Sequence, residues 1–332
     1  MAKVLISEEN LTNTANAIRG KTGKSDGITP VNFANEIASI QGDTELEASF
    51  LSLLDSSRGR NITKLPQGLT GLRGHAFYSC SSMQTLELPD TITFFGEYAF
   101  AKCSWLKTIN MPASLWSIGE FAFYDCGDLE LTELSDSITT IGQEAFRNCE
   151  KLALTKLPNS LATIPYNCFY GCTNLALTEI PESVTNIGST AFARCSNMTV
   201  SKLPDGLKFL YSTAFSYCSS ITIEEIPVNI TSIPNSVFND CSSIPKMVCK
   251  GNVTSIESGA FNNCTSLSYF AMPNITAIPT LGNKSAFTGT PIAAGTGYIY
   301  VPDELVDDLK SATNWSTYAD QIKGISELEA NV

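Results

Sequence analysis

Residues 181–204 read PESVTNIGSTAFARCSNMTVSKLP, and the phenylalanine and cysteine of this stretch recur throughout the chain. The phenylalanine returns every 23 residues in nine copies, and Phe287 follows the ninth after 26 residues. The nine copies are Phe77, Phe100, Phe123, Phe146, Phe169, Phe192, Phe215, Phe238 and Phe261. A cysteine stands three residues after each of them: Cys80, Cys103, Cys126, Cys149, Cys172, Cys195, Cys218, Cys241 and Cys264. A fixed period of this length is the signature of a repeat architecture.

Four further rows of apolar residues keep the same register, one of them running through Leu106, Leu129 and Leu152. Such rows are typical of stacked coils, because each coil rests its inward residue on the copy in the next coil. One coil cannot bury its own apolar face, so the stack is the folding unit. The sequence therefore predicts a β-rich solenoid of about ten 23-residue coils over residues 61–290.

Each coil is predicted to carry two short strands, since stretches such as 106–111 and 115–118 are short and rich in β-prone residues. Gly96, Gly119, Gly142 and Gly188 follow the second strand, where we expect a tight turn that needs glycine. Coils at the spacing of neighbouring strands would make a stack roughly 45–50 Å long.

The repeating unit reads Leu-Pro-x-x-hydrophobic-Thr-x-Ile-Gly-x-x-Ala-Phe-x-x-Cys-x-x-Leu, and residues 188–203 follow its later part closely. This unit resembles the BspA-type leucine-rich repeat over about residues 60–290. The resemblance implies a leucine-rich-repeat solenoid. It implies no particular ligand, because these repeats serve many binding roles.

The eleven cysteines are better explained by packing than by chemistry. A small apolar residue in one slot of every coil is typical of a core row. Neighbouring thiols of a parallel stack point the same way, which is poor geometry for a disulfide, and no Cys-x-x-Cys pair indicates zinc. We expect reduced thiols, with disulfides or a metal as the alternatives. Cys126→Ser is expected to leave an unpaired hydroxyl, costing roughly 1–3 kcal/mol.

The sequence offers no catalytic residues, cofactor site or metal site. His75 is the single histidine and falls in a coil turn, where a surface residue is the expected interpretation. No nucleophile motif stands beside it, and no glycine-rich loop with lysine indicates phosphate binding. Acidic residues recur at outward positions and predict a solvated face rather than a catalytic pair: Glu130, Glu133, Glu179 and Glu225. We expect a protein that is not an enzyme.

Charge and hydropathy limit the classes of partner that we expect for this chain. The net charge of −12 repels phosphate backbones, which argues against nucleic acid. The first residues reach Glu8 and Glu9 before any long apolar run, so no secretory signal peptide is expected. No stretch approaches the roughly 20 apolar residues of a membrane span. These features predict synthesis in the bacterial cytoplasm without membrane insertion.

The two ends of the chain depart from the repeat. Residues 1–42 are predicted to form a helical hairpin, with Ser7 capping the first helix and Pro30 starting the second. Residues 43–60 are predicted to form an amphipathic helix that caps the stack, and residues 291–332 an α/β C-terminal cap. Because a hairpin of this size cannot bury its apolar faces alone, it needs a docking partner.

Residues 1–42 resemble the short helical modules at the N-termini of structural proteins from phages and prophages of Gram-positive bacteria. The resemblance implies attachment to other virion proteins, or to a further copy of the chain in a homo-oligomer. A folding cap is the alternative. Residues 298–320 resemble the closing segment of BspA-type repeat proteins, including phage-encoded ones.

Outward slots of two adjacent coils carry aromatic residues where other coils carry Thr, Ser, Asn or charged residues. Phe94 and Tyr98 belong to one coil, and Trp116 and Phe121 belong to the next. Tyr98 and Phe121 share a slot, so we expect their rings to stack about 5 Å apart. Clustered exposed aromatics predict a protein or glycan ligand, and inward-folded rings are the alternative.

Three functions are compatible with these sequence features. The first is a phage virion protein of the tail or baseplate that presents the solenoid for adhesion, host recognition or protein–protein contact. The second is a capsid decoration protein. The third is a bacterial cell-surface adhesin of the BspA type.

Overall fold

The computed structural model describes residues 63–65 and 67–329. The predicted hairpin of residues 1–42 and the predicted helix of residues 43–60 lie outside the described residues. The chain divides into two compact units. The described part of the first unit comprises residues 63–65, 67–131 and 135–149, and that of the second comprises residues 132–134 and 150–329.

The first unit is a stack of coils built on the repeating phenylalanine. Phe100 packs face to face on Phe77 with 5.4 Å between ring centroids, and Phe123 lies 5.0 Å from Phe100 and 5.3 Å from Phe146. These rings are completely buried. One apolar column of the sequence thus becomes one continuous column of the core, as the 23-residue period predicts.

Short parallel strands connect the coils of the first unit. They are β1 (Thr85–Leu86), β2 (Phe94–Phe95), β3 (Thr108–Ile109), β4 (Ser117–Ile118) and β5 (Thr140–Ile141). β1 pairs with β3, and a second sheet has the order β2-β4-β5. Phe95 pairs with Ile118, and Ile118 with Ile141. Because the register equals the repeat length, each inward residue lies on its own copy.

The second unit repeats this plan and carries the C-terminal segment. Its strands are β6 (Thr163–Ile164), β7 (Asn186–Ile187), β8 (Phe209–Leu210), β9 (Glu225–Ile226), β10 (Ser232–Ile233), β11 (Lys246–Cys249), β12 (Ser255–Ile256), β13 (Tyr269–Ala271), β14 (Thr280–Leu281), β15 (Tyr298–Val301) and β16 (Ile322–Gly324). Their parallel sheets have the orders β6-β7-β8, β10-β12-β14 and β16-β15-β13-β11-β9. The described part of this unit contains six phenylalanines of the repeating column, one in each coil, from Phe169 to Phe287. Coils with 23-residue spacing, as predicted for a β-solenoid, are present in both units and number about ten among the described residues.

The prediction of two strands in every coil is wrong for some coils of the second unit. Between residues 150 and 224, the structure shows β6, β7 and β8 but no strand at the position that β1 and β3 hold in their coils. Here the inward residues Leu175 and Leu177 are two apart, but the next, Ile180, comes three later, with a bend at Thr178. No continuous strand pairing forms between these coils. Single backbone hydrogen bonds, such as that from Thr199 N to Leu177 O (2.9 Å), connect them instead.

The repeating glycines stand between the second strand and the turn that follows it, as predicted. Gly96, Gly119, Gly142 and Gly188 have no positive φ, so left-handed backbone does not explain them. A Cβ added to Gly119 would lie 2.6 Å from the carbonyl carbon of Gly96, well inside normal contact. Glycine therefore allows the backbones of successive coils to approach closely at Gly119, whereas the same slot carries Pro165, Tyr211, Pro234 and Glu257 in other coils.

The C-terminal segment closes the second unit. After the 3-10 turn Lys284–Phe287 and β15 come a 3-10 turn (Asp303–Leu305), helix α1 (Val306–Ser311), a 3-10 segment (Trp315–Gln321), β16 and helix α2 (Ile325–Glu329). Asn314 Nδ2 donates to Leu281 O (2.7 Å), and Trp315 Nε1 donates to Pro279 O (2.8 Å). These side chains satisfy carbonyls at the edge strand β14, as a solenoid cap must. None of the described helices is long and apolar enough to cross a bilayer.

Candidate functional site

In two coils of the first unit, the corner just before the core phenylalanine carries Tyr98 and Phe121, two of the aromatic residues that the sequence singled out. Tyr98 and Phe121 stack with 4.5 Å between centroids and 1° between ring planes, which confirms the expected stacking. Both have a left-handed backbone with φ of 55°. Tyr98 N donates to Glu120 O (2.9 Å) and Phe121 N to Gln143 O (3.0 Å), so bonds between coils hold this conformation.

The stack is longer than the sequence analysis predicted. The His75 ring lies 4.9 Å from Tyr98 at 22°, so His75 is part of the stack rather than an isolated surface residue. Tyr78 flanks His75 at 5.5 Å, and Tyr124 flanks Phe121 at 6.0 Å. We call His75, Tyr98, Phe121, Tyr78 and Tyr124 the aromatic ladder. The shared slots of His75 with Tyr98, and of Tyr78 with Tyr124, were the sequence signal that could have revealed it.

The other two predicted site residues lie apart from the ladder. Phe94 begins β2, and its ring covers Gly71, which has no side chain to obstruct it. Trp116 directly precedes β4 and is 51% exposed. Among the described residues, no ring contact joins Phe94 or Trp116 to Tyr98 or Phe121. The structure brings together Tyr98 and Phe121 and leaves Phe94 and Trp116 on the strand side of their coils.

Trp105 is a further exposed aromatic residue that the sequence analysis missed. Its side chain is 57% exposed, in a corner slot that holds Asn or Ser in coils of the second unit. The contrast with Asn174, Asn197 and Ser220 in the same slot could have identified it.

Charged groups border the ladder. Burial raises the pKa of Tyr98, and the nearby carboxylates of Glu97, Glu144 and Glu120 raise it further. On the flanking rings, Lys102 lies 5.7 Å from the Tyr78 centroid, where a hydrogen bond to Tyr78 raises the pKa of the lysine. The ladder therefore combines apolar rings with charges of both signs.

Arg147 similarly covers Tyr124 at 5.7 Å, and its Nη1 meets Glu144 Oε2 at 2.8 Å. This arginine is thus held by an ion pair as well as by a ring. Within residues 63–65 and 67–329, no cluster of three or more His, Cys, Asp or Glu side chains could hold a metal ion.

The ring planes of the ladder decide what it can bind. Both faces of Tyr98 are covered, one by His75 and the other by Phe121. The half-buried rings therefore present their edges to solvent. Ring edges and a phenol hydroxyl can pack against a complementary surface that has both apolar and polar groups.

The cysteine row is buried and hydrogen-bonded. Each Sγ donates to the carbonyl oxygen of the core phenylalanine one coil earlier, at 3.0–3.1 Å, for Cys103, Cys126, Cys149, Cys195, Cys218, Cys241 and Cys264. The expectation that Cys126→Ser leaves its hydroxyl unpaired is wrong, because Phe100 O is available to accept it. Burial raises the pKa of Cys218 to about 12, so these thiols are poor nucleophiles.

Comparison with known proteins agrees with the coil geometry. A model of the BspA type leucine rich repeat region, in six copies, matches residues 60–176 and 162–292. The chain belongs to this family. As a BspA-type leucine-rich-repeat protein it is a binding or structural protein, and no catalytic family is indicated. A search of curated proteins gives no match.

Solved structures include similar solenoids. The pneumococcal vaccine antigen PcpA is 20% identical, with 78% of this chain and 72% of that chain covered and a TM-score of 0.50. A leucine-rich repeat protein from Bacteroides ovatus is 22% identical over 79% of this chain and 82% of that chain, with a TM-score of 0.41. A leucine rich cell surface protein from Faecalibacterium prausnitzii is 24% identical over 76% and 86%, with a TM-score of 0.37. The likeness to PcpA supports the fold and carries no information about a ligand.

Proposed function

We propose that this BspA-type protein is a non-enzymatic binding protein that contacts another protein through the aromatic ladder. The observation that carries the proposal is the half-buried stack of His75, Tyr98 and Phe121 at the surface of the first unit. Aromatic side chains are enriched in protein interfaces, where they supply large contact areas at low entropic cost.

A protein ligand is favoured over a glycan by the orientation of the rings. Sugars stack on the face of an aromatic ring, and the faces of Tyr98 are already covered by its neighbours. The edges that remain, together with Glu97, Glu120 and Lys102 around them, suit a protein surface with apolar and charged groups.

The setting that we propose is the tail or baseplate of a phage virion, with residues 1–42 attached to other virion proteins and the chain in a homo-oligomer. It rests on the resemblance of residues 1–42 to phage structural modules. Capsid decoration and adhesion at a bacterial cell surface are the alternatives. Mass spectrometry of purified virions and of surface-protein fractions separates the viral settings from the cellular one, and labelling within virions separates tail from capsid.

The ladder is tested with Tyr98→Asn combined with Phe121→Asn. Asn167 occupies the same slot with a φ of 52°, so asparagine fits this backbone. Trp116→Thr is the matched control, since Thr139 fills that slot in the next coil. Labelled full-length protein is titrated onto intact Gram-positive cells, and its self-association is followed by sedimentation.

We expect the double variant to lose about tenfold or more in binding or self-association, as loss of two interface anchors would cause. The control should bind like the parent, and protease treatment of the cells should abolish binding while periodate oxidation of glycans should not. Unchanged binding and self-association of the folded double variant would refute the ladder as the contact surface. Sensitivity to periodate alone would refute a protein ligand.

A further inference from the structure

A second surface lies in the second unit and is independent of the ladder. We propose that Arg194, held between Tyr170 and Tyr217, binds the carboxylate of an acidic sugar in a polysaccharide. The guanidinium carbon of Arg194 lies 6.0 Å from the Tyr170 centroid and 5.2 Å from the Tyr217 centroid. Tyr170 belongs to the coil before Arg194 and Tyr217 to the coil after, so the two rings flank the guanidinium from neighbouring coils.

Stacking of this kind fixes a guanidinium without using its hydrogen-bond donors. The N–H groups of arginine lie in the guanidinium plane, in a fork that matches the two oxygens of a carboxylate. Rings that flank the guanidinium do not occupy its N–H donors, and they reduce the side-chain entropy lost when a ligand binds. Arg194 N also donates to Ser216 O (2.8 Å), which anchors the backbone at a φ of 67°.

Arg194 lacks the acidic partner that cations such as Arg147 and Lys202 have. In the part of the chain that the structure describes, no carboxylate lies within ion-pair distance of its exposed side chain. Arg147 in the first unit is the contrast, because Glu144 neutralises it at 2.8 Å. The guanidinium of Arg194 is thus oriented and uncompensated.

The neighbouring slots are neutral and rich in hydrogen-bonding groups. Thr173, Ser196 and Ser219 form one row, and Asn174, Asn197 and Ser220 form the next. Along the Arg194 slot the nearest carboxylate is Asp240, and along the Ser196 slot it is Glu150, each two coils away, or roughly 10 Å at the spacing of neighbouring strands. The field at Arg194 is therefore locally positive although the whole chain carries −12.

These neighbours favour a sugar over an acidic peptide. Hydroxyl and amide side chains exchange hydrogen bonds with sugar hydroxyls, and Tyr217 is 49% exposed and offers ring surface to a pyranose. Gly171 occupies the Arg194 slot one coil earlier, so that slot adds no side chain to the Tyr170 ring on this side of the guanidinium. The site therefore has one charged group, the Arg194 guanidinium, among solvent-exposed polar side chains. It lacks the apolar pockets that peptide side chains need.

The test uses oligogalacturonate as the acidic sugar, its methyl ester as the uncharged match, and poly-glutamate as the acidic peptide. Each is titrated into the full-length chain by calorimetry at low and at physiological salt. The variants are Arg194→Gln, Arg194→Lys and Tyr217→Ser, with Lys208→Gln as the control for a general loss of positive charge in the same unit. Circular dichroism checks that each variant is folded.

We expect oligogalacturonate to bind and its methyl ester to bind at least about tenfold more weakly, because the ester removes the charged acceptor. Arg194→Gln should lose about tenfold or more, and Arg194→Lys should recover only part of this, since lysine lacks the planar fork. Tyr217→Ser should weaken binding severalfold, and Lys208→Gln should leave it unchanged. Equal affinity for the ester, or unchanged binding by Arg194→Gln, would overturn the proposal. Poly-glutamate binding as tightly as the sugar would overturn the choice of a polysaccharide.

Discussion

Cys126 donates its thiol proton to the carbonyl oxygen of Phe100, one coil earlier, across 3.0 Å. The same oxygen also accepts the backbone N–H of Cys103 (3.1 Å), so the carbonyl serves two coils. The cysteine row is therefore a row of weak donors that join coils, in addition to a row of small core side chains.

The first prediction concerns this bond. Cys126→Ser keeps a donor that can reach Phe100 O, whereas Cys126→Ala removes the donor and leaves a small void. We expect Cys126→Ser to lower the free energy of unfolding by about 1 kcal/mol, and Cys126→Ala to lower it by more. Urea unfolding followed by circular dichroism measures both. A serine variant less stable than the alanine variant would show that the slot requires an apolar side chain and that the bond contributes little.

The close approach of coils at the glycine slot gives the second prediction. Gly119→Ala would place a methyl group 2.6 Å from Gly96 C and 2.8 Å from Glu97 N, both of them backbone atoms that cannot rotate away. The coils must separate, so we expect a loss of about 1–3 kcal/mol.

Gly127→Ala is the control, because nothing lies within 4 Å of its added Cβ. Its melting temperature should stay within a degree or two of the parent value, or rise slightly as the unfolded chain loses freedom, by about 0.4–1 kcal/mol in free energy. Equal destabilisation of the two variants would contradict the contact between Gly119 and Gly96.

The third prediction separates Cys80 from the rest of its row. Cys80 is half-buried, and a hydrogen bond with the Cys103 thiol lowers its pKa, whereas burial raises the pKa of Cys126 and Cys218. Since the thiolate is the reactive species, iodoacetamide should modify Cys80 first in the native protein.

The rate of modification should rise with pH through a value below the ordinary cysteine pKa of 9.0, because deprotonation of Cys80 sets the rate. Peptide mass spectrometry locates the label. In denaturant, all eleven cysteines should react without prior reduction if they are free thiols. A fraction that reacts only after a reductant is added would reveal disulfides, and uniform native labelling would contradict the burial of the row.

The fourth prediction concerns the C-terminal cap. Trp315 is buried and donates from Nε1 to Pro279 O at 2.8 Å. Trp315→Phe removes the donor and part of the ring, so we expect a loss of about 1–3 kcal/mol and earlier proteolysis of the C-terminal segment. Trp105→Phe is the matched control, because the 57% exposed Trp105 side chain should change stability by less than about 0.5 kcal/mol. A cap variant as stable and as protease-resistant as the control would show that this bond does not secure the end.

The apolar columns could be predicted from the sequence because packing repeats wherever the residue type repeats. Phe100 on Phe123 and Ile118 on Ile141 follow from the 23-residue period alone. The same logic placed Tyr98 against Phe121, since two residues in one slot of neighbouring coils must be neighbours.

What the sequence could not supply depends on backbone geometry within a coil. Nothing in the residue type of Tyr98 reveals a left-handed φ, because such positions usually favour Gly or Asn. The direction in which a ring points cannot be predicted from the residue type either. The Phe94 ring covers Gly71, while the Trp116 ring is exposed. His75 lies in a turn and is partly exposed, as expected, but its stacking on Tyr98 was missed because only its slot linked the two residues.

The left-handed corner has a consequence for how such a protein can diversify. His75, Tyr98, Phe121 and Glu144 occupy this position in the first unit, and Asn167, Thr190, Thr213 and Ser236 in the second, all with φ between 50° and 63°. The conformational cost of a side chain there is met by backbone bonds to the next coil, such as that from Thr190 N to Ser212 O (3.1 Å). Side chains as different as histidine, tyrosine, glutamate and threonine therefore fit the same backbone. The corner is thus a position where the side chain can differ from coil to coil while the backbone of the coil stays the same.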